Sequence, residues 1–199
     1  MAAIALPAPS QQGAVSLEEA LRRRRSKRAF FGPPLTLAEV SSLLFAAQGI
    51  SHARGLRTAP SAGALYPLEL FLAAGSVAGL EPGVYRYTPY THTLTPSARG
   101  DRREDIAAAA LGQAWMAEAQ ALVAFCAVFE RITGRYGRRG ELYVLIEAGH
   151  ASQNLSLAAA ALGLGSTVVG AFDDARIRAV LGAAGDEHPL ILQPVGRPR

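Results

Sequence analysis

Residues 141–173 read ELYVLIEAGHASQNLSLAAAALGLGSTVVGAFD. Good helix formers, alanine above all, run from Glu141 to Leu162, the longest helical pattern in the chain. Gly163 and Gly165 stop it. Ser166 to Gly170 is a short strand-like run, and Asp173 opens a further helix that ends at Leu181–Gly182. A helix end, a short strand and a glycine-bearing turn in one stretch leave backbone N–H groups that can meet the ring nitrogens or carbonyls of a cofactor. The G-x-G-x-x-G spacing of a dinucleotide site is absent.

On either side, strands and helices alternate irregularly. Ala121 to Phe129 and Leu68 to Ala74 are continuous apolar runs, the mark of strands buried on both faces. Val84–Tyr87 and Thr93–Thr95 flank Thr88–Pro89–Tyr90–Thr91, a hairpin signal. Asp101 begins a helix through Leu111, and Leu190 to Val195 is the last strand. Near the start, Ser16 and Glu19 form a capping-box pattern. The helix it opens is expected to run into Arg22–Arg28 and stop before Gly32–Pro33–Pro34. Thr36 caps a second helix whose apolar face is Leu37, Val40, Leu43, Leu44 and Ala47, with Gly49 as its stop. Ser51 to Ser61 reads as loop. The pattern is α+β, one domain over 16–199 preceded by an arm over 1–15.

Composition narrows the chemistry. Half of the 199 residues are hydrophobic, enough for a core without disulfide staples, and Cys126, the single cysteine, sits in an apolar run where an inert thiol is expected. His52, His92, His150 and His188 lack metal-ligand spacing, so no metal site is expected. Neither a G-x-S-x-G elbow nor a Walker loop is present. Met1 to Pro9 is apolar but short, without a basic lead, and broken by Pro7 and Pro9, so no secretory signal is expected there. No run reaches the length of a membrane span; no membrane association and a cytoplasmic location follow by elimination.

The net charge of +4 is arginine-borne, Lys27 being the only lysine. Arg24, Arg25, Ser26 and Arg28 lie in the basic run Arg22–Arg28, which serves equally as a solvated face or as a phosphate site built from charge-assisted bonds. A basic nucleic-acid-binding module is a third reading, but the finger, ribonucleoprotein and helix-turn-helix patterns are missing, so no nucleic acid is expected as partner. Pro60–Ser61–Ala62–Gly63 precedes a buried strand, where small residues admit a flat ligand or simply make a turn. Tyr136, among Arg135, Arg138 and Arg139 in a glycine-rich segment, is either an acid–base group or part of an exposed loop.

In order along the chain, Arg24–Phe30, Leu43–Ile50, Pro60–Pro67, Gly149–Leu155 and Ala161–Ser166 resemble the nitroreductase superfamily of FMN flavoproteins. Within it the chain looks most like the SagB/ThcOx-type dehydrogenase branch. The resemblance implies a central mixed or antiparallel sheet flanked by helices in an intertwined homodimer. It implies a flavin-dependent oxidoreductase that moves two electrons in ping-pong fashion to or from a small-molecule or peptide substrate, with NAD(P)H as a possible donor. By the same resemblance Arg24, Arg25, Ser26 and Arg28 grip the FMN phosphate and ribityl chain. Pro60, Ser61, Ala62 and Gly63 reach the flavin from the partner subunit. Val169, Gly170 and Ala171 lie along the ring, and Arg197 or Arg199 adds a phosphate contact. The long helix builds the dimer interface, and Tyr136 is the proton partner. Azoline-oxidising relatives carry a Lys-Tyr pair where this chain has Arg135–Tyr136, and arginine holds its proton too firmly to replace lysine as a base.

Overall fold

Leu68–Ala74 (β2) and Ala121–Ala127 (β5) pair antiparallel through their whole length at the centre of a seven-stranded sheet. The structure is a computed structural model that describes residues 2–10 and 15–199. All seven residues of β5 are buried, because helices cover both faces of the sheet. The other strands are β1 (Ile4–Ala5), β3 (Gly83–Thr88), β4 (Thr93–Arg99), β6 (Gly165–Ser166) and β7 (His188–Gly196). The order is β1-β4-β3-β2-β5-β7-β6, and every ladder is antiparallel. Of the two sheet types expected, the antiparallel one is found.

Alternate side chains divide the core in two. Leu68, Leu70, Leu72, Val123 and Phe125 face α2 (Leu37–Gln48) and α5 (Arg139–Ala161). Phe71, Ala73, Leu122, Ala124 and Cys126 face α3 (Arg103–Ala109), a 3-10 turn over Ala114–Glu118 and α6 (Asp174–Leu181). Burial pushes the Cys126 thiol far above its ordinary range, so it is inert. The segment before the first helix contributes β1 to the sheet edge, and Ser41 Oγ donates to the Pro7 carbonyl at 2.6 Å.

The helix starts follow the sequence closely. Thr36 and Glu39 form a complete capping box on α2, and Asp173 caps α6. Ser16 caps α1 (Leu17–Arg23), but Glu19 turns its carboxylate to Arg22 and Arg23 instead of back to the cap. Gly49 does end α2, with φ −63°, so left-handed freedom is not its role; a β-carbon there would overlap the Phe45 ring.

Two expectations are corrected. The first helix stops at Arg23, and the basic run beyond it is extended, because Ser26 and Lys27 find backbone partners on β6. The segment read as a loop around Tyr136 is largely a helix, α4 (Glu130–Tyr136). Packing overrides its glycines: Ile132 is fully buried and lies against Gly140 at the start of α5, too close for any β-carbon.

Candidate active site

The extended basic run lies along the sheet edge formed by β6. Ser26 pairs with Ser166 in a parallel bridge, Lys27 N–H donates to the Ser166 carbonyl at 3.0 Å, and the Thr167 hydroxyl donates to the Lys27 carbonyl. The approach depends on Gly165, where a β-carbon would stand 2.7 Å from Lys27 Cβ. From the other side, Phe31 N–H donates to the Arg197 carbonyl at 3.0 Å and Arg199 N–H to the Ala29 carbonyl at 3.1 Å. Residues 26–31 are thus clamped between β6 and the end of the chain.

This clamp sets the arginines in different directions. Arg28 reaches across to Trp115, its guanidinium carbon 5.9 Å from the ring centroid. Gln113, two residues before that tryptophan, donates to the Ala171 carbonyl at 3.5 Å. A series of contacts thus runs from Arg28 through Trp115 and the neighbouring Gln113 to the Ala171 carbonyl. Val169 is buried and bridges Leu192, while Gly170 and Ala171 are exposed, with open space beside Gly170. Arg24 is half-buried at the end of α1. Arg25 turns back to cap that helix, donating to the carbonyls of Arg22 and Arg24 at 3.0 and 2.7 Å. Arg197 points away, to Glu39 at 3.1 Å and the carbonyls of Pro33 and Pro34, and Arg199 lies over Phe31.

The second group of residues is on the opposite half of α5. Pro60, Ser61 and Ala62 line a cavity of about 260 Å³ together with Tyr143, Ile146, Glu147 and His150. Gly63 takes φ 62°, and a β-carbon on it would stand 2.9 Å from the Tyr136 hydroxyl and 3.1 Å from Arg135 Nη1. The structure thus brings Tyr136 and Arg135 onto the Pro60–Gly63 loop, joining two segments far apart along the chain. Tyr136 also packs edge-on against Tyr143, centroids 5.3 Å apart. Ala64 and Tyr66 follow with φ 53° and 47°, backbone that costs about 1–3 kcal/mol at each non-glycine position.

Glu147 escaped the sequence reading. It is 1 % exposed, and burial pushes its carboxyl up to about 7 against smaller opposing effects of Ser61, Gln48 and Arg57. The signal was available: Glu147 falls on the face of α5 shared by Val144, Ala148 and Ala151, where an acid breaks an apolar stripe. Trp115 was missed as well, although a lone tryptophan in an alanine-rich segment is a visible anomaly.

The nitroreductase family profile matches residues 21–197. A Methanocaldococcus jannaschii protein provisionally named a nitroreductase is 45% identical over 183 residues, 92% of this chain and 91% of that one. The Escherichia coli microcin B17-processing protein McbC is 29% identical over 148 residues, 70% of this chain and 54% of McbC. A crystal structure of a provisionally assigned nitroreductase from Ralstonia eutropha superposes with a TM-score of 0.87 at 29% identity, covering 99% of this chain and 90% of that one. The antiparallel α+β sheet, with a basic run bridged to its β6 edge, is a fold of the nitroreductase type. The chain belongs to the nitroreductase family. Among the described residues, no helix is long and apolar enough to cross a membrane.

Proposed function

We propose that the chain is an FMN-dependent oxidoreductase acting as a homodimer, passing two electrons from NAD(P)H to a small-molecule acceptor. The observation that carries this reading is the bridge between Ser26 and Ser166. It holds the basic run on the β6 edge, three residues before the Val169–Ala171 turn in which Gly170 and Ala171 are exposed, so that cationic side chains and exposed backbone serve one neighbourhood. That donor set fits a phosphorylated, flat heterocycle: exposed guanidinium groups for the phosphate, Trp115 as an apolar wall, and open space beside Gly170 for a ring. Arg24, Ser26 and Arg28 would hold the phosphate and ribityl chain, with Gly170 and Ala171 along the ring. The redox chemistry would come from the flavin, which accepts and returns two electrons when bound. Arg25 and Arg197 have other partners and contribute less than the family resemblance implies.

The dimer is supported by α5. Leu142, Leu145, Ile146 and Gly149 are exposed at helical spacing along one face, an apolar stripe without a cover in the monomer. The Tyr136 half of the site sits beside Tyr143 and Glu147, whereas α1 and the basic run sit at the far end of α5. From Glu147 to Ala161 the helix rises about 21 Å. Antiparallel packing of two such helices would set the Pro60–Gly63 loop of one subunit near the basic edge of the other. In that arrangement Tyr136 would hold or pass a substrate proton at its phenol oxygen.

A second reading, oxidation of a peptide azoline, rests on the likeness to McbC, named for microcin processing. Arg135 beside Tyr136 weighs against it, since a guanidinium does not act as a base at neutral pH. A nucleic-acid module is disfavoured because Arg22, Arg23, Arg25 and Arg197 are already paired within the chain. Arg28→Ala tests the principal reading. FMN binding should weaken about tenfold or more, 1.4 kcal/mol, by fluorescence titration; an unchanged affinity would remove Arg28 from the site.

A further inference from the structure

The loop between α2 and β2 holds an uncommon backbone, with Gly63, Ala64 and Tyr66 all at positive φ. Strained backbone of this kind persists only where its surroundings over-determine it. Here the determinants form a ring of side chains. Tyr66 N–H donates to Ser61 Oγ at 2.9 Å, and the Tyr66 hydroxyl accepts from Arg57 N–H at 3.1 Å. The Arg57 guanidinium lies over the Tyr66 ring, 4.5 Å from its centroid, and donates through Nη1 to Gln48 Oε1 at 2.8 Å. That bond fixes the Gln48 amide so that its Nε2 faces Glu147 Oε1, 3.5 Å away. Ser61 and Glu147 line the same cavity, so the two ends of the ring face each other across it, with Glu147 Oε2 left without a hydrogen-bond partner among the described residues.

We propose that Glu147 is the positioning residue of this half-site: its buried carboxyl closes the ring of Gln48, Arg57, Tyr66 and Ser61 and holds the Ser61–Tyr66 loop in place against α5. The proposal rests on the reading that this loop borders the cofactor, but only for its consequence in catalysis. Chemistry explains the choice of residue. Arg57 is half-buried, its Nε has no partner among the described residues, and Glu69 and Glu147 are the carboxylates whose charge favours its own. Ser61 Oγ accepts from Tyr66 N–H and lines the cavity into which Glu147 is buried. An ionised Glu147 presents a charge to Arg57 and to this cavity, whereas the protonated carboxyl presents none and adds a donor. The loop is therefore held differently in the two protonation states of Glu147. The other titratable groups facing this carboxyl are Tyr66 from the loop and Tyr143 and His150 from α5; α2 presents only the neutral Gln48. Arg135 and Tyr136 of α4 stand over Gly63.

The test is an NMR titration of the purified full chain between pH 5.5 and 8.5, following the backbone amides of Gly63, Ala64 and Tyr66. They should move together with a midpoint near 7, as the Glu147 carboxyl does. The movement should vanish in Glu147→Gln and persist in His150→Asn, which removes the imidazole that lines the same cavity. Loop amides that stay fixed across this range in the native chain would overturn the proposal. So would a titration that survives Glu147→Gln or disappears in His150→Asn. If Glu147→Gln does not fold, the His150→Asn titration decides: movement that persists there supports the proposal, and its loss there overturns it. A chain that shows the expected loop titration but binds no FMN would uphold the positioning role and reject the cofactor reading.

Discussion

Tyr136 and Glu147 carry the account at the scale of single residues, and each makes a separate prediction. Tyr136 touches the loop through Gly63 and packs on Tyr143 with its ring, so removing only its hydroxyl should leave the fold intact. Tyr136→Phe should retain FMN affinity while slowing substrate turnover about 100-fold, as expected for loss of a positioned proton donor; turnover at the native rate would dismiss the proton role. Glu147 predicts a pH dependence of stability. Its carboxyl ordinarily titrates at 4.5 and is pushed up to about 7 in the folded chain. The folded state then binds the proton more tightly than the unfolded one, a contribution complete below about 4.5 and lost as the pH rises through 7. Urea unfolding should show a loss on the order of 2–3 kcal/mol from this group between pH 5 and 8. Glu147→Gln should flatten that slope, and an unchanged slope would place the titration elsewhere. Caps such as Thr36 and Asp173 were legible because their partners lie three residues away. Glu147 shows in the sequence only as an acid on an apolar stripe, and its role does not, because Gln48 and Arg57 lie far from it along the chain.

Among elements, α5 is decisive. Val144, Ala148, Ala151, Leu155 and Ala159 turn inward to the sheet. Ser152 and Ser156 meet Gln193 of β7 at 2.9 Å each, a buried polar set with matched donors and acceptors. The outward stripe of Leu142, Leu145 and Ile146 predicts a subunit seam. Leu145→Arg places a charge in that seam and should shift the protein from dimer to monomer in light scattering; a native-like dimer would locate the interface on another face. This helix could be read from sequence almost to its ends, since its period is long and unbroken. The first helix was overextended for a physical reason: local propensity favours arginine in a helix, and only the distant β6 offers Ser26 and Lys27 a better backbone partner. α4 was missed for the converse reason, its glycines outweighed by the burial of Ile132.

At the scale of the whole molecule, the two central strands, the hairpin and the last strand were all visible as apolar or alternating runs. Their order in the sheet was not. β5 lies between β2 and β7, a pairing of segments distant in sequence that no local pattern encodes. That order carries the site, because β7 holds β6 at the edge and β6 in turn holds the basic run. The two clusters of candidate residues lie at opposite ends of α5, which is why the proposed function pairs them across two subunits. The most direct measurement of this account is the absorption spectrum of the purified protein, with mass identification of any released chromophore. Flavin bands with FMN in the supernatant are the expected result. A colourless protein that also fails to take up added FMN would contradict it.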